Sequence, residues 1–538
     1  MAENRRLPAH KRRAYQPRIV LDPRAVKEFA ERKLDDWRWL KEVPKEELQK
    51  AMREVVPNFR FATDPRTHQL ACTFLGTKMP RFLFSLEMGT GKTKIILDLI
   101  RYRKHRGELR SALVCVPNLI NLSSWEDQLR LHAPDLSYQI LEGSKAERMD
   151  LLEESCDVRI INYGGLPVYM AGARRRTKKG TEKRVMVVED AQDFSDRFNF
   201  LALDECHVGL STVRSLQYRL TQVLSWRADY CYGTTGTPMG GDPEKLWPQL
   251  HVIDQGETLG TSLAMFHAAY FHEKEDYWAG IKHTFNNRLR PKLHLTLQHR
   301  SLRYSDKEFT DLPTLTPSVK VMVEMSRAQL KHNAALLTQA RELREAGENP
   351  GNVFIRQRQT TAGFIAVRGE DVQKLEVAFS PNPKADALEQ LLTQMDEGEK
   401  VTIYHSYIYS GHIIQERLKA LGIRYAGVGH GFADPTLQRK RFLMDPKCRV
   451  FVLNCQAGAT GLDGLQQVCR YGIFYESPVS PSLRKQAVKR LHRDGQKRPV
   501  HFYDLVARGI QVDNRVLSSI EAGIDLFAAI VEGKEKVL

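Results

Sequence analysis

Two short segments of the chain carry residue types that could bind and cleave a phosphate anhydride. The first reads EMGTGKT, in which Gly89 and Gly91 would let backbone N–H groups turn toward phosphates. Lys92 would reach the β- and γ-phosphates, and the Thr93 hydroxyl suits a magnesium ion. The usual first glycine of G-x-x-x-x-G-K-[ST] is Leu86 here. The pattern therefore predicts a phosphate site that needs support from elsewhere in the chain.

The second segment is an acidic pair, Asp204 and Glu205, directly after the apolar run 200–203. Because that run predicts a buried parallel strand, both carboxylates should emerge at the carboxyl edge of a sheet, where ligands bind in such folds. Asp204 suits magnesium, and Glu205 suits the base that orients and deprotonates an attacking water. Such a pair is otherwise a charge device at a helix N-terminus, but EMGTGKT upstream favours catalysis.

The elements that must position these residues follow from hydrophobic patterning. Short apolar runs alternate with amphipathic stretches, which is typical of parallel sheets covered by helices on both faces. The first half predicts strands at 81–86, 112–116, 158–162, 200–203 and 229–233, with a helix at 94–101. The second half predicts strands at 401–405, 450–454, 471–475 and 501–506, with a helix at 412–421. The chain is therefore predicted to form two α/β lobes.

Three segments depart from that alternation. From about 259 to 374 the sequence is polar and helical, which predicts a connector or a protruding helical subdomain. Residues 1–60 are basic, with a predicted helix through 26–52. The run RRRTKKGTEKR, Arg174–Arg184, interrupts the first lobe without periodicity. Both basic segments are compatible with a solvated charged surface or with contacts to a polyanion.

Composition narrows the class of protein. The chain has 538 residues, enough for two to four domains, and 81 Lys+Arg against 65 Asp+Glu give a net charge of +16, which favours a polyanionic partner. No stretch approaches the roughly 18–20 apolar residues of a membrane helix, and the N-terminus is charged where a secretory signal would be apolar. The eight cysteines form no C-x-x-C pair, so we expect buried free thiols in a reducing compartment and no zinc site.

The order of the motifs resembles a known family. LEMGTGKT, DECH and TGTP at 235–238 are similar to the nucleotide-site motifs of helicase superfamily two, the DEAD/DEAH-like proteins. VPN followed by Trp125, and INYGGL at 161–166, resemble the SWI/SNF-type double-stranded DNA translocases in particular. NCQAGATGLDGLQQV at 454–468 and QAVKRLHRDGQKRPVHFYDLVARG at 486–509 resemble that family's closing signature. The resemblance covers about 66–515.

The resemblance implies a fold and a set of domain boundaries. The expected fold is α/β, with two tandem RecA-like lobes, each a parallel sheet flanked by helices, and a helical connector or protrusion between them. The expected domains are a basic N-terminal extension at 1–63, the first lobe at 64–289, the connector at 290–376 and the second lobe at 377–538. The chain departs from the family at Val479, where a tryptophan is usual, and at Ser480, where an asparagine is usual, so the detail of DNA coupling is open.

Site residues carry over by position. The implied catalytic residues are Lys92, Glu205, Arg490 and Arg493, of which the two arginines also share one face of a predicted helix and would complete the site when the lobes close. The implied nucleotide contacts are Gln69, which matches the adenine-reading glutamine, and Met88, Gly89, Thr90, Gly91, Lys92, Thr93, Gly461 and Asp463. Magnesium would be held by Thr93 and Asp204. DNA contacts are expected at Pro117, Asn118, Tyr163, Gly164, His405, Ser406, Gly458 and Thr460.

The function implied is ATP-dependent movement along double-stranded DNA, with ATP and Mg²⁺ as cofactors and duplex DNA and DNA-bound proteins as partners. A strand-separating helicase is the alternative within the superfamily, although no pin or wedge element is recognisable. A non-hydrolysing DNA-binding scaffold is disfavoured by the complete set of catalytic residues. The near-minimal motor suggests the cytoplasm of a bacterium or a phage-infected cell, while the basic run at 11–13 leaves a nuclear address open.

Overall fold

The computed structural model describes residues 22–87, 89–176, 182–236, 238, 242–276, 280–304, 308, 313–345, 353–368, 374–456, 462–493 and 495–523. In chain order its strands are β1 Arg81–Leu86, β2 Ala112–Val116, β3 Tyr138–Ile140, β4 Val158–Asn162, β5 Ala171–Arg176, β6 Glu182–Met186, β7 Phe200–Leu203, β8 Tyr230–Thr234, β9 Phe271–Asp276, β10 Gly280–Phe285, β11 Ser301–Tyr304, β12 Val319–Glu324, β13 Phe364–Arg368, β14 Lys374–Ala378, β15 Lys400–His405, β16 Tyr425–Val428, β17 Val450–Asn454, β18 Cys469–Phe474 and β19 His501–Arg508.

The α-helices, again in chain order, lie between these strands and at the ends of the described chain. They are α1 Pro23–Glu31, α2 Lys45–Val55, α3 Thr67–Lys78, α4 Lys92–His105, α5 Leu119–His132, α6 Lys145–Glu153, α7 Pro167–Met170, α8 Val188–Ser195, α9 Cys206–Gly209, α10 Leu216–Arg227, α11 Leu246–Asp254, α12 Leu263–Tyr270, α13 Arg290–Leu297, α14 Arg327–Glu345, α15 Val353–Ala362, α16 Pro383–Gln394, α17 Ile408–Ala420, α18 Pro435–Met444, α19 Leu465–Val468, α20 Pro481–Val488 and α21 Val512–Glu521. Short 3-10 helices lie at Arg38–Glu42, Tyr163–Gly165, Pro243–Lys245 and Asn287–Leu289.

The first lobe is built on a seven-stranded parallel sheet in the order β11-β1-β8-β7-β2-β4-β3. Successive residues of a strand point to opposite faces of a sheet. Apolar residues occupy both sets of positions here, so both faces of the sheet are apolar. Phe82 and Phe84 pack in the core beneath α3, α4 and α5, whereas Leu83 packs with α10 and α11 on the other face. The continuous apolar runs of the sequence thus reflect a sheet buried on both sides, as predicted.

The second lobe repeats this design on a six-stranded parallel sheet in the order β12-β19-β18-β15-β17-β16. Val401 and Ile403 of β15 pack on one face with α16, α17 and α21, and Tyr404 packs on the other with Leu491. The prediction of an α/β protein with two parallel-sheet lobes is confirmed.

The predicted connector at 290–376 is in part wrong. β11 pairs with β1 of the first sheet, and β12 pairs with β19 of the second, so each end of that interval supplies an edge strand to a lobe. β11 escaped prediction because it has only four residues, two of them polar, and β12 because most of its six residues are exposed and alternate with charged ones, which weakens the apolar signal. Between the sheets, α14 and α15 are the helical part of the interval that the sequence predicts. The remaining domain boundaries stay predictions.

The two basic segments also differ from expectation. The run Arg174–Arg184 overlaps an antiparallel hairpin, β5 with β6, whose paired positions include Gly172 and Val185. In the N-terminal region, the single helix predicted at 26–52 is two α-helices, α1 and α2, with the 3-10 helix Arg38–Glu42 between them and Pro44 directly before α2. Leu48 and Met52 of α2 pack in the first lobe's core, so this part of the extension belongs to the lobe.

Other features of the described chain bear on function. All eight cysteines are buried free thiols, as predicted. Within the ranges described above, no helix is long and apolar enough to cross a membrane. In the same residues, no group of three or more His, Cys, Asp or Glu side chains could hold a metal ion.

Candidate active site

The loop between β1 and α4 owes its shape to two glycines. Gly89 and Gly91 have φ angles of 81° and 77°, which only glycine adopts without strain. A side chain at Gly89 would also lie 2.6 Å from Cβ of Arg493, so the second lobe approaches this loop closely. The Thr90 hydroxyl donates to the Glu87 carbonyl at 2.8 Å and closes the turn. The loop therefore offers its backbone and the N-terminus of α4 to an anion.

Lys92 and Glu205 form a buried ion pair, with Nζ 2.6 Å from Oε1. Lys92 begins α4, and Glu205 follows β7 with φ of 42°, an uncommon conformation for a residue with a side chain. Burial by itself would raise the pKa of Glu205, but Lys92, followed by His207, outweighs it and holds that pKa below its ordinary value. Glu205 is therefore ionised at neutral pH, the state that a general base requires.

Asp204 is held by three hydrogen bonds on its two carboxylate oxygens. Trp125 Nε1 donates to Oδ2 at 2.9 Å, and the Thr234 hydroxyl and the Glu205 backbone N–H donate to Oδ1 at 2.8 and 3.0 Å. Burial, followed by the neighbouring Glu205, raises the pKa of Asp204. Trp125 comes from α5, Thr234 from the end of β8, and Glu205 from the turn after β7. Three parts of the first lobe therefore fix the orientation of the Asp204 carboxylate.

The two arginines reach the cleft from the second lobe, but they do not share a helix face as predicted. Helix α20 ends at Val488. Arg490 follows in a tighter turn, in which its backbone N–H donates to the carbonyl of Ala487, three residues earlier. Arg490 Nη1 donates to the Leu462 carbonyl at 3.0 Å. Burial, followed by the nearby Arg493, lowers the pKa of Arg490 to about 10, so it remains a cation at neutral pH.

Asp463 holds the second arginine, because its carboxylate accepts from Arg493 Nη1 in an ion pair. Burial would raise the pKa of Asp463, but Arg493, followed by Arg490, outweighs it and lowers that pKa. Residues of both lobes thus line one cleft: Gly89, Gly91, Lys92, Thr93, Asn121, Ser124, Trp125, Gln128, Asp204 and Glu205 from the first, and Asp463, Gln486, Lys489, Arg490 and Arg493 from the second. The structure brings most of the predicted catalytic and nucleotide residues together.

Two ion pairs bridge the lobes beside this cleft. Lys485 Nζ lies 2.8 Å from Glu87 Oε1, next to the phosphate loop. Arg439 Nη2 lies 2.6 Å from Asp127 Oδ2, while its Nη1 donates to the Asp463 carbonyl at 3.0 Å. The two lobes are therefore in a closed arrangement, in which these polar contacts join them beside the site.

Gln69 lies beside the loop with both ends of its amide engaged. Its Nε2 donates to the Thr90 carbonyl at 3.1 Å, and its Oε1 accepts from the Arg66 backbone N–H at 3.0 Å. The Thr90 carbonyl also contacts Nε2 of His68 at 2.8 Å. The Gln69 side chain thus stabilises the phosphate loop through Thr90. Its contact with adenine stays a prediction.

The predicted DNA-contacting residues follow strands at the carboxyl edges of the sheets, yet two of their side chains face inward. Tyr163 is buried and its hydroxyl donates to the Asp204 carbonyl at 3.0 Å. His405 is buried with its pKa lowered to about 4 by burial, and its Nδ1 contacts the Tyr407 carbonyl. Among the predicted DNA contacts that the structure describes, Gly164 is exposed, while Pro117, Asn118 and Ser406 are half-buried. A contact to DNA at Tyr163 or His405 would therefore involve the backbone.

Some predicted residues lie outside the described part of the chain: Met88, Gly458, Thr460, Gly461, the basic residues 11–13, and residues 177–181 of the basic run 174–184. Others were missed from the sequence. Thr234 ends the strand beside β7 at the same sheet edge, which is a signal that could have found it. Glu87 and Arg439 contact residues far away in the chain, and no local pattern marks them.

Two parallel-sheet lobes that share a phosphate loop, an acidic pair and opposing arginines define the ATPase core of helicase superfamily two. Comparison with protein families narrows this class further. The chain belongs to the SNF2-related domain family, whose match spans residues 74–360. The predicted family resemblance is thereby confirmed.

Individual relatives are distant. Protein CHROMATIN REMODELING 5 of Arabidopsis thaliana is 23% identical, with 78% of this chain and 24% of that protein covered. This chain therefore spans about a quarter of that relative's length. The uncharacterized ATP-dependent helicase YqhH of Bacillus subtilis is also 23% identical, with 97% of this chain and 90% of that protein covered. Among solved structures, the Sulfolobus solfataricus SWI2/SNF2 ATPase core in complex with dsDNA is 18% identical, covers 87% of this chain and 92% of its own, and has a TM-score of 0.39.

Proposed function

We propose that the protein is a DNA-dependent ATPase that moves along duplex DNA and remodels DNA or protein–DNA complexes. The observation that carries this proposal is the meeting of Lys92, Glu205, Arg490 and Arg493 in one cleft between two lobes. A site divided between lobes links hydrolysis to their opening and closing, and such a cycle can alternate the grip of the two lobes on a backbone. The net charge of +16 suits a polyanionic track.

The chemistry assigns a role to each residue. Lys92 binds the β- and γ-phosphates, and a bound triphosphate competes with Glu205 for its ammonium group. Glu205, ionised and directed at the cleft, orients the attacking water and accepts its proton. Arg490 and Arg493 approach the γ-phosphoryl group from the second lobe. Their positive charges stabilise the negative charge that develops on that group.

Magnesium fits the donors on the first-lobe wall of the cleft. Thr93 and Asp204 both line it, and hydroxyl and carboxylate oxygens are the hard ligands that Mg²⁺ prefers. A magnesium ion held there would neutralise charge on the phosphate oxygens. We expect Asp204→Asn to raise the magnesium concentration needed for half-maximal turnover, with Asp190→Asn on exposed α8 as the matched control.

The test compares ATP turnover with duplex DNA, with single-stranded DNA and without DNA. Duplex should stimulate most; equal or greater stimulation by single strands would favour the strand-separating helicase. Triplex displacement and forked-duplex unwinding, measured in parallel, separate movement from strand separation. Displacement without unwinding is expected, and the Glu205→Gln variant serves as the hydrolysis-deficient control. Absence of any DNA stimulation would contradict the proposal.

A further inference from the structure

Helix α5 of the first lobe contacts both halves of the cleft. It spans Leu119–His132, and its Leu122 and Leu129 are buried in the core of that lobe. Helix α18 of the second lobe lies against it. Because α5 is packed firmly on its own lobe and also meets the other, side chains on its two sides can fix the position of one lobe relative to the other.

On its inner side α5 carries Trp125, which holds the carboxylate of Asp204. Trp125 is only 2% exposed, and its Nε1 donates to Asp204 Oδ2 at 2.9 Å. The other oxygen, Oδ1, accepts from Thr234 and from the Glu205 backbone N–H. Loss of the indole N–H would therefore remove the bond that directs Oδ2, while both bonds to Oδ1 would remain.

On its outer side α5 carries Asp127, which contacts the second lobe. Residues two apart in an α-helix are separated by about 200° around its axis, so Trp125 and Asp127 project from opposite sides of α5. The Asp127 carboxylate is half exposed, and its Oδ2 lies 2.6 Å from Nη2 of Arg439, whose side chain is only 5% exposed. A nearly buried arginine of one lobe is thus held by a carboxylate of the other.

Arg439 connects this contact to an arginine of the site. Its Nη1 donates to the Asp463 carbonyl at 3.0 Å, and the Asp463 carboxylate forms the ion pair with Arg493. Because a guanidinium group is planar and rigid, its two Nη atoms hold Asp127 and Asp463 in a fixed relation. The position of Arg493 relative to α5 therefore depends on Arg439.

We propose that Trp125 and Arg439 are positioning residues that align Asp204 with Arg493 through their shared contact with α5. Trp125 orients the carboxylate that suits magnesium, and Arg439 orients the segment that holds Arg493. This alignment matters because a displacement of about 1 Å at a catalytic group can lower a rate about 10²-fold. The inference rests on the proposed function, because it concerns the same hydrolysis step.

The first test measures ATP turnover of the full chain with saturating duplex DNA. Trp125→Phe keeps an aromatic ring and removes the donor. It should lower kcat about 10- to 100-fold and raise the magnesium concentration needed for half-maximal turnover. Trp247→Phe is the matched control, because its Nε1 donates to the Gly260 carbonyl at 3.0 Å and Trp247 is not among the described residues that line the cleft. That control should turn over ATP as the wild type does.

The second variant, Asp127→Ala, removes the first-lobe partner of Arg439 and leaves its bond to Asp463. We expect kcat to fall roughly two- to thirtyfold. ATP affinity should stay at the wild-type value, because Asp127 is absent from the described lining of the cleft; a general loss of fold would lower both. Glu126→Ala is the matched control, since Glu126 is the preceding residue of α5 and pairs with Arg130 of the same helix.

Two double-mutant cycles decide whether the two effects act through α5. Once either contact is broken the alignment is lost, so the loss of kcat in Trp125→Phe, Asp127→Ala should be clearly smaller than the product of the single losses. Trp125→Phe with Lys485→Ala is the control cycle, because Lys485 joins the lobes at Glu87 and not at α5. Its two losses should multiply. Losses that multiply in the first cycle, or an equal shortfall in both cycles, would overturn the inference.

A further measurement needs neither magnesium nor nucleotide. In NMR spectra of the full chain with isotope-labelled tryptophan, the indole N–H signal of Trp125 is the one that Asp204→Asn shifts. Trp125 lines the cleft that the second lobe closes, so Asp127→Ala should shift the same signal and Glu126→Ala should leave it in place. An unshifted signal in Asp127→Ala would overturn the inference even if Trp125→Phe did not fold. Thermal unfolding checks the fold of every variant.

Failure of this inference differs from failure of the proposed function. If duplex DNA stimulates the wild type but the losses in the first cycle multiply, the proposed function stands and α5 does not align the two halves. If duplex DNA does not stimulate the wild type, the proposed function fails. The two cycles are then measured on turnover without DNA, where the same shortfall is expected.

Discussion

The two halves of the cleft are built in different ways. In the first lobe, Asp204 and Glu205 directly follow a buried strand, and neighbouring elements of the same lobe hold them through Lys92, Trp125 and Thr234. In the second lobe, Arg490 and Arg493 lie in a turn past the end of a helix, held by Leu462 and Asp463. The first half is held by contacts within its own lobe, whereas the place of the second half depends on where the second lobe lies.

This difference separates nucleotide binding from turnover. Under the proposed function, the first-lobe half contains the groups that would bind the β- and γ-phosphates. The second-lobe half would add charge where the transition state develops it and would therefore act on the rate. Closure is then the step that DNA can control, and substitutions in the two halves should have different signatures.

The largest effect is expected from the second-lobe arginines. Arg490→Ala and Arg493→Ala should each lower DNA-stimulated turnover by about 10³- to 10⁵-fold, because each removes charge stabilisation from the transition state. Arg493→Lys should also be badly impaired, since lysine lacks the planar fork. Nucleotide affinity should persist, as measured by binding titration. If affinity and melting temperature fell in proportion to activity, the arginines would be structural and the two halves would not differ as argued.

A smaller loss is expected from the first-lobe base. Glu205→Gln should lower turnover by about 10²- to 10⁴-fold and retain ATP binding, because the amide keeps the shape and removes the proton acceptor. Turnover and nucleotide affinity are measured beside Glu189→Gln on exposed α8, which should behave as wild type. Wild-type hydrolysis by Glu205→Gln would show that the acidic pair has been misassigned.

The Lys92→Ala variant tests the difference between the two halves of the cleft further, because it should weaken nucleotide binding itself. It also leaves Glu205 buried without its partner, and breaking a buried pair costs about 3–5 kcal/mol. The free energy of unfolding should therefore fall with the affinity. The double variant Lys92→Met, Glu205→Gln should regain much of that stability; if it does not, the pair does not carry the stability of this half.

The ion pair between the lobes should have a modest effect. Lys485→Ala removes the second-lobe partner of Glu87 and leaves the first-lobe Arg303, whose Nη2 lies 3.7 Å from Glu87 Oε1. Because Lys485 is partly exposed, its pair with Glu87 contributes at most about 1 kcal/mol to closure. Turnover should fall roughly two- to fivefold, and Lys485→Arg should restore it. Arg508→Ala, which breaks an exposed pair with Glu324 outside the cleft, is the control. Unchanged turnover in Lys485→Ala would mean that this contact does not influence closure.

The last expected effect concerns pH and the second lobe alone, and it is measured on stability and not on turnover. Burial lowers the pKa of His405 to about 4, below its ordinary 6.5, so the unfolded chain binds a proton that the folded chain does not. The stability associated with neutral His405 is present above about pH 6.5 and is lost as pH falls toward 4. His405→Asn should show a shallower loss of melting temperature between pH 7 and 4.5, whereas exposed His272→Asn should follow the wild type. Parallel curves for all three proteins would contradict this assignment.

Prediction from the sequence succeeded where the signal is local. Buried parallel strands are continuous apolar runs, so β1, β2, β4 and β7 begin and end at the predicted residues. The edge strands β11 and β12 were missed because neither is a continuous apolar run: β11 is four residues with two polar ones, and β12 is mostly exposed. The hairpin of β5 and β6 was missed because its residues are mostly charged.

The candidate site divides along the same line. The phosphate loop and the acidic pair are each contiguous and follow a strand, so residue order alone placed them at one sheet edge. The turn that carries Arg490 and Arg493 depends on where α20 ends. The spacing of the two arginines in the sequence does not predict that end. The inward orientation of Tyr163 and His405 depends on what packs around them.

The sequence by itself determined the class of fold, the family and the residues proposed to meet the phosphates, because these follow from apolar runs and motifs within a few residues of one another. Only the tertiary structure decided how those residues are held: the Trp125 and Thr234 bonds to Asp204, and the pairing of Lys485 with Glu87. Each of these contacts joins residues that are distant in the chain. Their proximity is set by the packing of whole elements, which leaves no local pattern at the residues that it brings together.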